Sequence, residues 1–348
     1  MSTPTSTTDA EALIDNLDQK SRFHHFHNLL HKYPWVSPLI VLLIAVIVFG
    51  LLNNKFWGIS NLSLITQQVS IVGTIAIAQT LVILTAGIDL SVGAIAILAS
   101  MVMAKTCAEQ GVPGPLALVL GILVGAGAGA INGFLVTKLR LPPFIVTLGT
   151  LNVFLAITLI YATARTINDD KITATTGGDW LLWLGNKIEL GSFKITYGVV
   201  LMLLLYAGFA WVLKNTAWGK HVYAVGDDPN ASALAGIRVN RVLFSVYLVG
   251  GIILAVAGWI AIGRVGAASP SNIPDANLDS ITAVVIGGTS LFGGRGTMIG
   301  TLIGALLVGV VAAGLTIAGL DPAYKTLAIG LLIIGSVALD QWIRKVRS

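Results

Sequence analysis

The side chains that could do chemistry in this chain lie within long apolar stretches. Asp89 is the clearest candidate, because its carboxyl group falls between two apolar segments, within residues 87–93. An ionisable group at membrane depth is costly and is a functional candidate by default. Two interpretations are open and can both hold. Asp89 can cap the helix that follows by accepting backbone N–H groups, or it can contact a molecule that crosses the membrane.

Amide and hydroxyl side chains accompany Asp89 inside the apolar segments. In a membrane such groups need hydrogen-bond partners, either across helices or along a water-filled path. A path for a polyhydroxylated solute would suit them, and hydrogen bonding between helices is the alternative for each one taken singly. The candidates for lining such a path are Gln79, Asp89, Ser91, Asn132 and Asn152.

No catalytic constellation is present in the sequence. A phosphate-binding loop is missing, since Gly219-Lys220-His221 lacks both the spacing and the hydroxyl that such a loop needs. Four of the five histidines lie near the N-terminus, without a cysteine or a closely placed carboxylate to complete a metal site. They are His24, His25, His27 and His31. We therefore expect no catalytic residue, no metal and no cofactor, in a chain that moves something with energy supplied elsewhere.

The composition indicates the elements that must position these residues. Of 348 residues, 55% are hydrophobic and 11% are charged, whereas a soluble globular chain has roughly a quarter charged residues. Apolar windows of about 20 residues predict an all-α, polytopic helical membrane protein with about ten transmembrane helices. The predicted spans are 37–53, 64–86, 90–107, 115–137, 143–163, 195–213, 242–262, 275–292, 298–318 and 323–341.

The basic residues predict the orientation. They lie at the ends of apolar spans, which argues against a nucleic-acid partner, and with ten spans they all fall on one side, which is therefore cytoplasmic. The chain then divides into an N-terminal tail over 1–36 with a candidate amphipathic helix, a transmembrane domain over 37–341 and a basic tail over 342–348. Both tails are expected in the cytoplasm. The domain carries a cytoplasmic loop at 214–241 and an outward loop at 164–194.

A weak internal repeat relates the two halves of the domain. Gly121 and Gly125 align with Gly300 and Gly304, and the segment 141–148 aligns with 320–327 at the same offset. The matched spans would have opposite topology, as in the inverted repeats of transport proteins. Chance matching between glycine-rich spans is the alternative. The glycines of the fourth span also indicate close helix packing, and they are Gly125, Gly127, Gly129 and Gly133.

Two stretches on the cytoplasmic side are typical of contact surfaces. The glycine-rich stretch 287–297 lets the backbone turn tightly or approach another surface closely. In the loop 218–241, Asp227 or Asp228 can begin a short helix with Pro229 in its first turn and Gly236 at its end. A plain connection is the alternative, although a loop of this length usually has a task.

Four stretches, at 87–93, 141–150, 224–237 and 287–296, resemble permease subunits of bacterial ABC sugar importers of the ribose, xylose, fructose and galactose type. The resemblance covers about residues 40–341 and is closest to fructose permeases. It implies a homodimer of permeases in the bacterial inner membrane, two cytoplasmic ATP-binding subunits that use the ATP, and a periplasmic sugar-binding protein, for which 164–194 is a candidate docking surface.

The resemblance also implies roles for the two cytoplasmic stretches. The loop 218–241 would be the segment that couples the permease to the ATPase, and 287–297 would be a second contact with it. The residues carried over to coupling are Gly226, Asp227, Pro229, Ala233, Gly236, Gly294 and Arg295. The implied cargo is a monosaccharide, fructose or ribose-like. Two alternatives are a branched-chain amino acid permease of the same general type and an ion-coupled secondary transporter, which would need more membrane carboxylates than Asp89.

Overall fold

The computed structural model describes residues 35–321 except 164 and 274, together with 323, 324, 326–331, 334 and 335. The candidate amphipathic helix, the histidine cluster and the basic tail lie outside the described residues, as do residues 325, 332, 333 and 336–341 of the last predicted span.

The described chain is a bundle of helices. In chain order they are α1 (Val36–Leu52), α2 (Ile59–Leu84), α3 (Val92–Ala108), α4 (Gly114–Thr137), α5 (Pro143–Ala162), α6 (Asp169–Thr173), α7 (Asp179–Leu182), α8 (Tyr197–Asn215), α9 (Ala217–Asp227), α10 (Pro229–Leu234), α11 (Val239–Val265), α12 (Ala276–Ile286) and α13 (Met298–Ile317). Six of them, namely α2, α4, α5, α8, α11 and α13, are long and apolar enough to cross a membrane. Three shorter apolar helices, α1, α3 and α12, accompany them.

Most predicted spans correspond to helices of similar limits, but the eighth does not. The prediction extended this span over 275–292, whereas α12 ends at Ile286. Gly287 and Gly288 follow, and Gly288 has a φ of +84°, which ends the helix despite the apolar Leu291 and Phe292 beyond it. The apolar residues beyond Ile286 led the prediction to extend the span over a turn.

At the centre of the bundle, α11 packs against both α2 and α4. Glycine permits close approach between α4 and α11: a Cβ at Gly125 would lie 2.5 Å from the carbonyl oxygen of Gly251, and one at Gly129 would lie 2.2 Å from that of Tyr247. Such small-residue contacts let two helix backbones pack closely in a membrane. Gly127 instead faces open space, so its predicted packing role was wrong. On the other side of α2, the hydroxyls of Thr80 and Thr301 lie 2.9 Å apart and join it to α13.

Four short strands depart from the all-α prediction in a small way. A hairpin pairs β2 (Lys187–Leu190) with β3 (Phe193–Thr196), and β1 (Ile167–Asn168) pairs with β4 (Ala267–Ala268), both antiparallel. The Lys194 ammonium donates to the Glu189 carboxylate at 2.7 Å and lowers the pKa of Glu189. Beside the hairpin, the Trp183 ring lies 5.0 Å from that of Tyr197 and 6.4 Å from that of Trp259.

Candidate functional site

The site begins where α2 stops and the chain turns into α3 within the bundle. We call residues 85–91 the helix break. Ala86 has a φ of +59°, and the Gly87 N–H donates to the carbonyl oxygen of Val82 at 3.0 Å. A Cβ at Gly87 would lie 3.0 Å from Val82 Cγ1 and 3.2 Å from the hydroxyl oxygen of Tyr247. Glycine therefore lets α11 approach the break closely.

Asp89 is held in a buried hydrogen-bond network. Its Oδ1 accepts the backbone N–H of Ser91 at 2.7 Å and the Ser91 hydroxyl at 2.6 Å. The Ser91 oxygen in turn accepts Nδ2 of Asn132 from α4 at 2.8 Å. All three side chains are at most 3% exposed. Asp89 thus organises the backbone that enters α3, but it does not cap the helix itself, because its one backbone donor among the described residues, Ser91, precedes the first turn, and the N-cap position of α3 has no side-chain cap.

Two further side chains fix the break from other helices. Thr147 of α5 donates its hydroxyl to the carbonyl oxygen of Ile88 at 3.0 Å. Asn277 of α12 accepts the N–H of Gly93 at 2.7 Å, and so receives one of the donors that the first turn of α3 leaves free. The sequence analysis did not assign these roles. Both side chains are polar groups within apolar segments, but nothing local in the sequence relates either of them to residue 88 or 93.

The other two candidates for a path lie apart from this network. Gln79 is fully buried on α2, and neither atom of its amide group has a hydrogen-bond partner within the described part of the chain. Asn152 lies on an exposed part of α5, where its amide donates to the carbonyl oxygen of Leu148 at 3.0 Å. The structure therefore brings three of the five candidates together and leaves two elsewhere.

A cavity of about 320 Å³ adjoins the helix break. It is bounded by the break, by α11 and by the turn between α4 and α5. Its lining residues include Thr85, Gly87, Arg140, Leu243 and Tyr247. The Tyr247 hydroxyl is buried and has no hydrogen-bond partner among the described residues. Because buried hydroxyls are normally paired, one residue that lines this cavity carries an unsatisfied polar group.

The two predicted coupling stretches meet each other at the end of α2. The Gly294 N–H donates to the carbonyl oxygen of Leu84 at 3.0 Å. A Cβ at Gly226, in the last turn of α9, would lie only 1.7 Å from the same oxygen. A Cβ at Gly293 would lie 2.5 Å from the carbonyl oxygen of Gly226 and 2.9 Å from the nitrogen of Ala86. We call this contact of α2, α9 and the glycine-rich loop the glycine node.

The glycine-rich loop is a closed turn rather than part of a span. The Ser290 N–H donates to the carbonyl oxygen of Arg295 at 2.9 Å, and Gly293 and Gly294 have φ values of +83° and +70°. Tyr223 of α9 donates its hydroxyl to the carbonyl oxygen of Gly296 at 2.8 Å. The side chain of Arg295 is exposed.

The short helix predicted in the loop 218–241 is confirmed as α10. Asp228 accepts the N–H groups of Asn230 and Ala231 at 2.8 and 3.0 Å, Pro229 is the first helical residue, and Gly236 has a φ of +84°. The rest of the predicted loop is more ordered than a connection, because Val222 and Val225 are buried on the helix α9.

The surface of α10 carries one large apolar side chain. Leu234 is 91% exposed at its end, and Asp227, Pro229 and Ala233 are exposed as well. The sequence analysis did not single out Leu234, although it stands between small residues in the stretch 231–236.

A helical bundle with at least six helices of membrane-spanning length is the architecture of a multi-pass membrane protein, and a broken helix within such a bundle is typical of transport proteins. The family model described as "Branched-chain amino acid transport system / permease component" matches residues 61–337, and the chain belongs to this permease family. The family supports a location in the inner membrane.

Curated relatives match over most of their length. The chain is 50% identical to the fructose import permease of Rhizobium meliloti over 98% of this chain and 94% of the relative. It is 37% identical to the ribose import permease of Bacillus subtilis, with 94% and 98% covered. It is 33% identical to the galactose/methyl galactoside import permease of Escherichia coli, with 88% and 93% covered. No solved structure matches the chain.

Proposed function

We propose that this chain is the membrane-spanning permease of an ATP-driven monosaccharide importer, for fructose or a ribose-like sugar. The observation that carries the proposal is the 50% identity to a fructose import permease over 98% of the chain. The family description mentions branched-chain amino acids, but the named relatives import fructose, ribose and galactose. They favour the sugar over the amino-acid alternative.

The proposed complex contains two copies of this chain, two ATP-binding subunits and a periplasmic sugar-binding protein. The sequence has no phosphate-binding loop, so ATP would be hydrolysed by the partner. Ten spans with both tails in the cytoplasm would follow from the nine apolar helices among the described residues and the helical residues 326–331 beyond them. In chain order, α2, α3, α4 and α5 correspond to α11, α12, α13 and the last predicted span. This correspondence supports an inverted repeat.

The glycine node is the proposed link between ATP use and transport. Leu234 and its exposed neighbours on α10 would contact the ATP-binding subunit. Because α10 follows α9 directly, a displacement of α10 would reach Gly226, which has no free space against Leu84. Leu84 leads into the helix break, so the movement would shift Asp89 and its partners. Rigid backbone contacts transmit such displacements better than long flexible side chains do.

The sugar path is proposed to run near the helix break. A buried amide without a partner costs roughly 1–3 kcal/mol, so the isolated Gln79 and the unpaired Tyr247 hydroxyl favour water or sugar hydroxyls as partners. Asp89, Ser91 and Asn132 would shape the backbone there, and exposed Asn152 would reach the path from α5. At the outward side, exposed Trp180 and Trp183 support docking of the binding protein.

Uptake in cells tests this proposal. Labelled fructose, ribose, xylose and galactose would be measured in cells with and without the gene, and with an inactive ATP-binding partner. Loss of high-affinity uptake of one sugar, restored by the intact gene and dependent on the partner ATPase, is expected. Uptake that survives without the ATPase would contradict an ATP-driven importer and favour ion coupling. Loss of amino-acid uptake alone would contradict the sugar assignment.

A further inference from the structure

A second, larger cavity lies on the same end of the molecule as α10. Its volume is about 720 Å³, it is open to the surface, and it is bordered by the turn between α4 and α5 on one side and by α10 and the first turn of α11 on the other. Four of its lining residues are cationic, and they are Lys138, Arg140, Arg238 and Arg241. We call this cavity the basic pocket.

Acidic side chains among the described residues do not balance the positive charge of the basic pocket. No aspartate or glutamate lines it, and none of its four cations forms a salt bridge within the described part of the chain. The adjacent Asp228 carboxylate, whose Oδ1 accepts the N–H groups of Asn230 and Ala231, supplies one negative charge against the four positive ones. Four like charges around one cavity repel one another, so an anion between them would be bound with charge-assisted hydrogen bonds.

An exposed apolar surface adjoins the pocket. The α4–α5 turn that supplies Lys138 and Arg140 and the first turn of α5 together carry four exposed large apolar side chains. They are Leu139, Leu141, Phe144 and Ile145. Along this turn cationic and apolar residues alternate within a few positions, which places apolar surface directly beside the cationic wall.

We propose that the basic pocket binds the phosphate headgroup of an anionic phospholipid, phosphatidylglycerol or cardiolipin, whose acyl chains lie along this apolar surface. Basic pockets at the ends of membrane helices suit such headgroups. A free phosphate would satisfy the cations but not the apolar residues, so the combination favours the lipid. Pro229, Asn230 and Ala233 of α10 also line the pocket, and a bound lipid would therefore bridge α10 to the turn between α4 and α5. This proposal does not depend on which solute is transported.

Retention of lipid by the purified full chain tests the proposal. The chain would be titrated with cardiolipin and with phosphatidylcholine, and bound lipid would be counted by native mass spectrometry. The variant Arg238→Gln/Arg241→Gln removes half of the charge. The control Lys214→Gln/Lys220→Gln removes the same charge from two exposed lysines outside the pocket. We expect at least fivefold weaker cardiolipin binding in the first variant and less than twofold change in the control.

Further arms identify the source of the anion. The variant Arg238→Lys/Arg241→Lys keeps the charge and should retain cardiolipin, and the glutamine variant should keep the melting temperature of the parent chain, so that its weaker binding follows from the lost charge and not from misfolding. Equal binding of phosphatidylcholine, or equal losses in the pocket variant and the control, would overturn the proposal. So would full displacement of cardiolipin by millimolar inorganic phosphate, since the pocket would then be a site for a soluble anion. Unchanged lipid binding with impaired association of the ATP-binding subunit would assign the pocket to that subunit.

Discussion

The helix break and the glycine node meet at the end of α2 but are built in different ways. Side chains from α4, α5 and α12 hold the break and the first turn of α3 with directed hydrogen bonds, and Asp89 adds one to the backbone of Ser91 within the break. The node is held by backbone against backbone, with glycines where any Cβ would collide. A hydrogen-bond network can lose one member and relax, whereas close backbone packing admits no added atom. The two regions should therefore respond differently to small substitutions.

The largest effect is expected at the node. Gly226→Ala adds one methyl group 1.7 Å from the carbonyl oxygen of Leu84, although alanine is intrinsically better than glycine in a helix by about 1 kcal/mol. Sugar uptake should fall at least tenfold while membrane insertion persists, as measured by transport and by the amount of protein in the membrane.

Gly208→Ala on α8 is the matched control, because a Cβ there meets nothing within 4 Å. Its uptake should stay within twofold of the parent chain. If both variants lose uptake equally, the effect belongs to helical glycines in general and not to the node.

A smaller effect is expected at the break. Asp89→Asn keeps the size of the side chain but weakens its acceptance of two hydrogen bonds from Ser91, at a cost of about 1–3 kcal/mol. The melting temperature in detergent should fall, and uptake should drop severalfold without being lost. A variant with parental melting temperature and no uptake would show instead that Asp89 acts on the cargo and does not merely order the backbone.

The surface of α10 offers a third comparison. Leu234→Ala removes the most exposed large side chain of α10, so the fold should keep its melting temperature, since exposed positions contribute little. Binding of the ATP-binding subunit should weaken severalfold in a pull-down from membranes. Unchanged association would place the contact elsewhere.

The smallest effect is expected from Tyr223→Phe, which removes one hydrogen bond from α9 to the glycine-rich loop. A net cost of about 0.5–1.5 kcal/mol should lower the melting temperature slightly and uptake by less than threefold. A loss of uptake as large as that of Gly226→Ala would mean that this hydroxyl, and not the backbone packing, is what the glycine node depends on.

The sequence predicted local structure better than it predicted contacts. The cap at Asp228 and the end of α10 at Gly236 were readable because both signals act within a few residues. The end of α12 was missed because Leu291 and Phe292 prolong the apolar composition beyond Ile286. The meeting of Gly226 with Leu84, and of Asn277 with Gly93, joins residues far apart in the chain. Only the packing of the helices decides such contacts.

The most direct test of the central claim is the ratio of sugar transported to ATP hydrolysed, measured for Gly226→Ala in the complete complex reconstituted in proteoliposomes. If the glycine node passes movement from α10 to the helix break, this variant should keep most of its ATP hydrolysis and lose transport, so that the ratio falls at least fivefold. If hydrolysis and transport fall together in equal proportion, or if neither changes, the node does not couple them and the account is contradicted.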